Sequence, residues 1–358
     1  MFIIRPIKES DLERLLVLLE KSGHGLTTLP KDPAVLKKRI RISERSFLHR
    51  EEDLPSGEDY VFVMEEIFTG KIIGVCAIIS KIGGFQPYYF YRLETSHHES
   101  KGLKIENDVG LMHVHLIHNG PAEICSLYLD PDYRNAQNGR FLSLSRFLFI
   151  AENRKYFEDQ IIAEMRGSVN DKGVSKFYEA VGSKFFKFDF PTADSLYMKN
   201  KKFIEELLPK HPIMTNILPE EAQAVIGKVH PHTEAAKKIL EQEGFSFSGL
   251  VGIFDPGPVL TADVDNIRSI KESVVGKIEE ISKANDEAEN FIIARTSGSF
   301  RCALGEVTKL KKGGYKISDV TAAALKLKLG DTIRFVSFRP TQSKAAKTSK
   351  KKVTKSTK

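Results

Sequence analysis

With 358 residues, 41% hydrophobic and 28% charged, the chain has the length and composition of about two ordinary globular domains, which excludes the disordered, collagen-like and coiled-coil classes. Its formal charge of +7 sits at one end: seven lysines and no acidic residue lie between Thr341 and Lys358, and setting them aside leaves 47 basic against 47 acidic residues. The body is neutral, so charge gives it no nucleic-acid partner, and the tail, without an interleaved aromatic, supports only weak, nonspecific polyanion binding.

In chain order, residues 2 to 5 predict a short strand, and the capping box Ser10-Asp11-Leu12-Glu13 opens a helix that Gly23 ends. Asp32-Pro33 starts a second helix reaching about Leu48. Tyr60 to Glu65 and Ile72 to Ser80 read as a hairpin, followed by strands at Tyr88 to Glu94, Leu111 to His118 and Glu123 to Leu129. A helix over Asn138 to Phe157, a strand over Gln160 to Met165, a helix over Lys172 to Val181 and a strand over Lys184 to Phe188 complete a mixed α/β pattern.

A helix ending in E-x-x-G before an aromatic strand occurs twice, at Glu179 to Gly182 and Glu241 to Gly244, a weak sign of duplication. From Phe291 to Phe338 short β runs alternate with Gly turns, and the segment after Pro340 has too little apolar surface to fold. The expected organisation is residues 1–200, residues 201–340 with a β-rich C-terminal part, and a disordered lysine-rich tail over 341–358.

Cys76, Cys125 and Cys302 are odd in number and set in apolar runs, which fits reduced thiols in a cytoplasmic protein. No apolar run reaches membrane-spanning length and no signal-peptide pattern opens the chain, so no membrane association is expected. His113 and His115 would share one strand face near His118, but no Cys or carboxylate pattern accompanies them, and no metal is expected.

The most informative stretch is Glu123 to Arg140. A strand ends in Asp130-Pro131, a loop with Arg134 and Asn135 follows, and a helix begins near Gly139, so backbone N–H groups and a helix N-terminus converge beside a cation. That arrangement is either an anion cradle suited to a pyrophosphate or an ordinary turn capped by Asn138.

This loop resembles the acyl-CoA motif R/Q-x-x-G-x-G/A of the GNAT N-acyltransferase superfamily, as Arg134-x-x-Gln137-Asn138-Gly139, with Gln137 at the first motif glycine. The helix carrying Tyr178 and Gly182 resembles the next motif. Longer segments are similar to the arginine N-succinyltransferases over nearly all of residues 1 to 340: Gly25 to Pro30, Leu127 to Arg134, Ala163 to Gly167, Pro209 to Ile213 and Val225 to Pro231.

The resemblance implies two GNAT-like domains in tandem and transfer of a succinyl group from succinyl-CoA to the α-amino group of L-arginine, in arginine catabolism. Succinyl-CoA is then a co-substrate and no cofactor stays bound. The alternative is a GNAT transferase using ornithine as acceptor or acetyl-CoA as donor. A homo-oligomer or a related paired subunit is a further expectation from the family.

By the same resemblance Leu127, Leu129, Arg134, Asn138, Gly139 and Arg140 contact the CoA donor, and His230 is the proton donor. A helix start just after His230 disfavours its protonated form, so it could equally take the amine proton and return it to the thiolate. Tyr178 is the rival acid, or an aromatic filling the helix–sheet interface. Glu164 and Arg166 are candidates for the acceptor's guanidinium and carboxylate, or a solvated ion pair. The loop from Gly23 to Pro30 is the expected acceptor wrap.

Overall fold

The computed structural model describes residues 1–22, 28–48, 54–170, 173–284 and 290–340. Its helices are α1 (Leu12–Glu20), α2 (Pro33–Leu48), α3 (Asn138–Glu152), α4 (Lys176–Ala180), α5 (Gly182–Phe186), α6 (Phe190–Lys199), α7 (Lys202–Leu207), α8 (Glu220–Gln223), α9 (Glu234–Gln242), α10 (Arg268–Lys271) and α11 (Asp319–Leu325). The strands are β1 (Phe2–Pro6), β2 (Asp59–Glu66), β3 (Ile72–Ile79), β4 (Tyr88–Ser100), β5 (Ile105–Ile117), β6 (Ala122–Leu129), β7 (Gln160–Glu164), β8 (Ile213–Met214), β9 (Ser246–Gly252), β10 (Pro258–Asp263), β11 (Val274–Ser282), β12 (Asn290–Arg295), β13 (Cys302–Lys309), β14 (Tyr315–Ser318) and β15 (Thr332–Ser337).

Among the described residues all fifteen strands belong to one mixed sheet, ordered β12-β15-β11-β14-β13-β1-β2-β3-β6-β7-β10-β9-β4-β5-β8. The ladder also joins β12 to β13, so β11 to β15 close on themselves as a five-stranded barrel attached through β1. Strands β9 and β10 lie between β4 and β7, so residues 246–263 return into the sheet made by residues 1–164. The expected division at residue 200 falls between α6 and α7, ahead of that return.

Period-2 alternation buries β2 on both faces. Tyr60, Phe62 and Met64 meet α3, whereas Val61 and Val63 meet Leu15, Leu19, Leu36 and Ile40 of α1 and α2. Phe149 of α3 is the hub of the first face, with ring centroids 5.1 Å from Tyr60, 5.1 Å from Phe62 and 5.2 Å from Phe300 of the barrel side. Truncating such a side chain to alanine costs about 3–5 kcal/mol.

Two expectations differ from the structure. Residues 182–186 are helix α5, where the sequence predicts a strand beginning at Lys184. The two E-x-x-G segments are therefore not alike: Gly244, with φ +105, follows α9, while Gly182 opens α5 and has no room for a Cβ, which would stand 2.5 Å from the Tyr178 ring.

Candidate active site

The site is made by two parallel strands that part. β6 and β7 pair only at Ala122–Ile161 and Glu123–Ile162; beyond that β6 runs on to Leu129 against β3, and β7 to Glu164 against β10. The parting coincides with a bulge on β6, where the register against β3 shifts and Ser126 takes φ +54. The extra residue moves Leu127 and Leu129 onto the α3 face, behind Ile124.

A side-chain network holds the bulge. Arg39 Nη1 donates to Ser126 Oγ at 3.0 Å and to the Thr28 carbonyl, and Ser126 Oγ donates to Thr28 Oγ1 at 3.0 Å. Asp59 grips the same guanidinium from the other side, at 2.7 Å and 3.1 Å. A left-handed Ser costs of order 1–3 kcal/mol and persists only when such surroundings over-determine it.

A cavity of about 900 Å³ fills the opening. One end is the loop after β6, with Leu127, Leu129, Arg134, Asn135 and Gly139 on its wall. Arg134 Nε donates to the Leu129 carbonyl at 3.1 Å, which fixes the guanidinium beside the strand end. Asn135 caps α3, its Oδ1 accepting from the N–H of Gln137 at 3.0 Å and of Asn138 at 2.7 Å. Gln137 lies outside the cavity wall, and nothing stands within 4 Å of a Cβ built on Gly139, so the approach to the helix start is open.

Two of the expected donor contacts also hold the fold together; Arg140 lines the cavity and Asn138 does not. The Asn138 side-chain amide donates to the Tyr133 carbonyl at 3.0 Å and ties the loop together. Arg140 spends its guanidinium on the Phe338 carbonyl at 2.8 Å, Gln242 at 2.6 Å and the fully buried Glu243 at 3.2 Å, pinning α3 to α9 and to the end of the barrel.

The other wall is acidic. Glu123, Glu164, Asp194 and Asp255 line it. A Cβ on Gly252 would meet Glu164 Oε1 at 3.0 Å and Asp255 Oδ1 at 3.2 Å, so these two carboxylates converge on one spot. Asp255 is itself held by the N–H of Gly167 at 2.8 Å and of Gly257 at 3.2 Å. Glu164 opens onto the cavity but is enclosed by protein; burial, then the charges of Glu123 and Asp255, push its carboxyl up to about 8. Burial also lowers Lys201, whose Nζ lies 2.9 Å from the Tyr88 ring centroid, against the opposing pull of Glu123 and Glu164.

Arg166 shares the cavity wall with Glu164, and its buried Nε has no hydrogen-bond partner among the described residues. His230 is tied to this segment: its N–H donates to the Arg166 carbonyl at 2.8 Å, while Gly167 bridges Val229. The half-buried His230 ring packs edge-on to His232, centroids 4.9 Å apart, and Nδ1 accepts the His232 N–H at 3.2 Å. That bond fixes the neutral tautomer with the proton on Nε2. His232 and Thr233 lie on the cavity wall; His230, which touches both, does not.

Tyr178 is not brought to the cavity. It is 2% exposed, its hydroxyl donates to the Phe188 carbonyl at 2.9 Å, and it packs among Phe186, Phe190 and Phe254. The expected acceptor loop from Gly23 to Pro30 is described only from Thr28, which touches the bulge; Gly23 to Thr27 lie outside the described residues, as does the lysine tail. Among the described residues no three His, Cys, Asp or Glu side chains form a metal-holding group, and no helix is long and apolar enough to cross a membrane.

Sequence reasoning missed Arg39, Asp59, Asp194, Asp255 and Lys201. Arg39 and Asp59 carry no spacing signal, because their contact is made by tertiary packing.

The family model "Arginine N-succinyltransferase beta subunit" matches residues 2–269, and its C-terminal domain model matches residues 274–337. The chain is 40% identical over 339 residues to an arginine N-succinyltransferase of Salmonella schwarzengrund, covering 94% of this chain and 97% of that protein. One from Escherichia coli O139:H28 shows the same identity and coverage. The solved arginine/ornithine succinyltransferase subunit AI of Pseudomonas aeruginosa superposes with a TM-score of 0.83 at 30% identity, covering 94% of this chain and 99% of that one. With both family models matched end to end on this fold, the chain belongs to the arginine N-succinyltransferase beta subunit family.

Proposed function

We propose that the protein transfers the succinyl group of succinyl-CoA to the α-amino nitrogen of L-arginine, giving N2-succinyl-L-arginine and CoA. The observation that carries this is the parting of β6 from β7 beside the open start of α3, in a chain of this family. An acyl-CoA can lay its pyrophosphate at the helix start and run its pantetheine arm into the gap.

The amine attacks the thioester carbon, the carbonyl oxygen becomes an oxyanion, and the C–S bond then breaks. In this reading the backbone N–H groups over Ser126 to Leu129, where β6 has parted from β7, donate to that oxyanion, and Leu127 contacts the donor. The amine sheds a proton as the amide forms and the thiolate gains one; His230 takes the first and returns it to the thiolate, ending neutral as it began, with His232 and Thr233 on the cavity wall beside it. The acidic wall takes the acceptor's cationic side chain, with Glu164 and Asp255 converging on the guanidinium and Arg166 beside them for the α-carboxylate.

We read the chain as a mixed-sheet body to about residue 270 followed by the barrel, and the protein as cytoplasmic with three free thiols. Ornithine is a second acceptor by analogy with the Pseudomonas aeruginosa relative.

The test is release of free CoA, with product identified by mass, over a panel of succinyl-CoA and acetyl-CoA against arginine and ornithine. Succinyl-CoA with arginine should give the highest kcat/KM. A panel in which acetyl-CoA outcompetes succinyl-CoA refutes the reading.

A further inference from the structure

We propose that Arg146 receives the distal carboxylate of the succinyl group, and is the residue by which the cavity distinguishes a dicarboxylic acyl donor from a neutral one. The inference rests on the reading of succinyl-CoA as donor and assigns its recognition to one side chain.

Arg146 lies in the third turn of α3, is 2% exposed, and lines the cavity. Among the described residues its side-chain hydrogen bonds go only to its own helix: Nε to the Ser143 carbonyl at 3.0 Å and Nη2 to Ser143 Oγ at 3.0 Å. Among the described residues no carboxylate pairs with it. The ionisable side chains near it are Cys76 and Cys125, thiols that burial pushes up to about 12 and so keeps neutral.

Three cations of the site are paired, Arg140 to Glu243, Arg39 to Asp59, and Lys21 to Asp130 and Asp132. Arg134 and Arg166 also lack an ion pair among the described residues, but Arg134 sits at the helix start and Arg166 has the carboxylates of Asp255 and Asp194 near it. A buried guanidinium stays charged, and leaving it without a counter-charge is unfavourable. Such a group serves no packing purpose a leucine would not serve better. It is explained by an anion that arrives with the substrate.

The position fits the anion. Gly139, Leu142, Ser143 and Arg146 all line the cavity, spaced so that they form one stripe along α3. The stripe runs roughly 10 Å from the helix start, seven residues at 1.5 Å each. Leu129, Leu127 and Cys125 of β6 border the same cavity. A donor with its pyrophosphate at the helix start and its arm along β6 therefore carries its acyl end toward Arg146. The planar guanidinium matches a carboxylate two-to-two, and the acidic wall of Glu123, Glu164, Asp194 and Asp255 repels that carboxylate while accepting the cationic acceptor. The two substrates are thereby assigned by charge to different residues of one cavity.

The experiment compares kcat/KM for succinyl-CoA and butyryl-CoA, the same four-carbon acyl chain with a methyl in place of the carboxylate, at fixed L-arginine in wild type, Arg146→Gln and Arg146→Lys. Arg146→Gln should lower kcat/KM for succinyl-CoA on the order of 10²-fold and leave butyryl-CoA unchanged or improved. Its Tm should be no lower than wild type, since the charge removed had no partner. Arg146→Lys should keep part of the preference and, where Arg146→Gln is insoluble, carries the same test. Equal losses on both donors, or an Arg146→Gln enzyme that keeps the wild-type preference, overturns the proposal. A wild-type enzyme with no preference for succinyl-CoA overturns the functional reading and this inference together.

Discussion

The amide N–H of His230 donates to the carbonyl oxygen of Arg166 at 2.8 Å, joining the loop before α9 to the end of β7. Through this bond two segments 64 positions apart in the chain meet at one end of the cavity. With Nδ1 committed to the His232 N–H, His230→Gln should lower kcat by roughly 10²–10⁴-fold, the usual worth of a positioned acid or base. His232→Gln should change kcat less. Stopped-flow CoA release would check this, and a His230→Gln enzyme at wild-type rate removes His230 from the chemistry.

Tyr178 gives the opposite expectation. Its hydroxyl already serves the Phe188 carbonyl inside an aromatic cluster, so Tyr178→Phe should leave kcat unchanged and lower stability by about 1 kcal/mol. Thermal unfolding and steady-state rates on the same preparation separate the two effects.

The bulge at Ser126 should depend on the Arg39–Asp59 pair. Asp59→Asn leaves the enclosed Arg39 guanidinium short of its counter-charge, and breaking such a pair costs about 3 kcal/mol. Because Arg39 also holds Ser126, KM for the acyl donor should rise as well. Ser126→Val, a β-branched residue at φ +54, should be worse than Ser126→Gly, which tolerates that angle. Denaturant midpoints with donor KM values test both statements.

Glu164 ties acceptor binding to pH. Its carboxyl, pushed up to about 8 in the folded protein, is mostly neutral at pH 7 and charged above pH 8. L-Arginine binding, followed by calorimetry, should therefore tighten between pH 7 and pH 9, and Glu164→Gln should abolish that rise and bind weakly throughout. For stability the sign is reversed. The unfolded chain loses this proton near its ordinary value and the folded chain near 8, so the stabilising contribution is complete below the ordinary value and disappears as pH rises through 8. Glu164→Gln should flatten that part of the stability profile.

The sequence carried much of this where local pattern and tertiary structure agree. The order of strands and helices from β1 to β7 follows from periodicity and caps, and the loop from Asp130 to Gly139 announces itself by its turn residues next to a helix start. Lys184 to Phe188 misleads because an aromatic run reads as a strand, yet Phe186 at the end of α5 and Phe188 just after it both pack against Phe203. Arg146 did leave a trace: a lone charge within Phe141 to Ile150, a helix buried on every side, is a local conflict of the kind that marks function. Of the acidic wall only Glu164 was legible, in a segment similar to the family; Glu123, Asp194 and Asp255 come from separate segments and left no trace.

The central claim is that the gap between β6 and β7 holds the acyl donor. A crystal structure with CoA bound tests it most directly. The account predicts the pyrophosphate at the start of α3 near Gly139 and Arg134, the pantetheine arm beside Leu127 and Leu129, and the sulfur within the cavity on the side of His232. CoA bound elsewhere on the chain, with the β6–β7 gap empty, would contradict it.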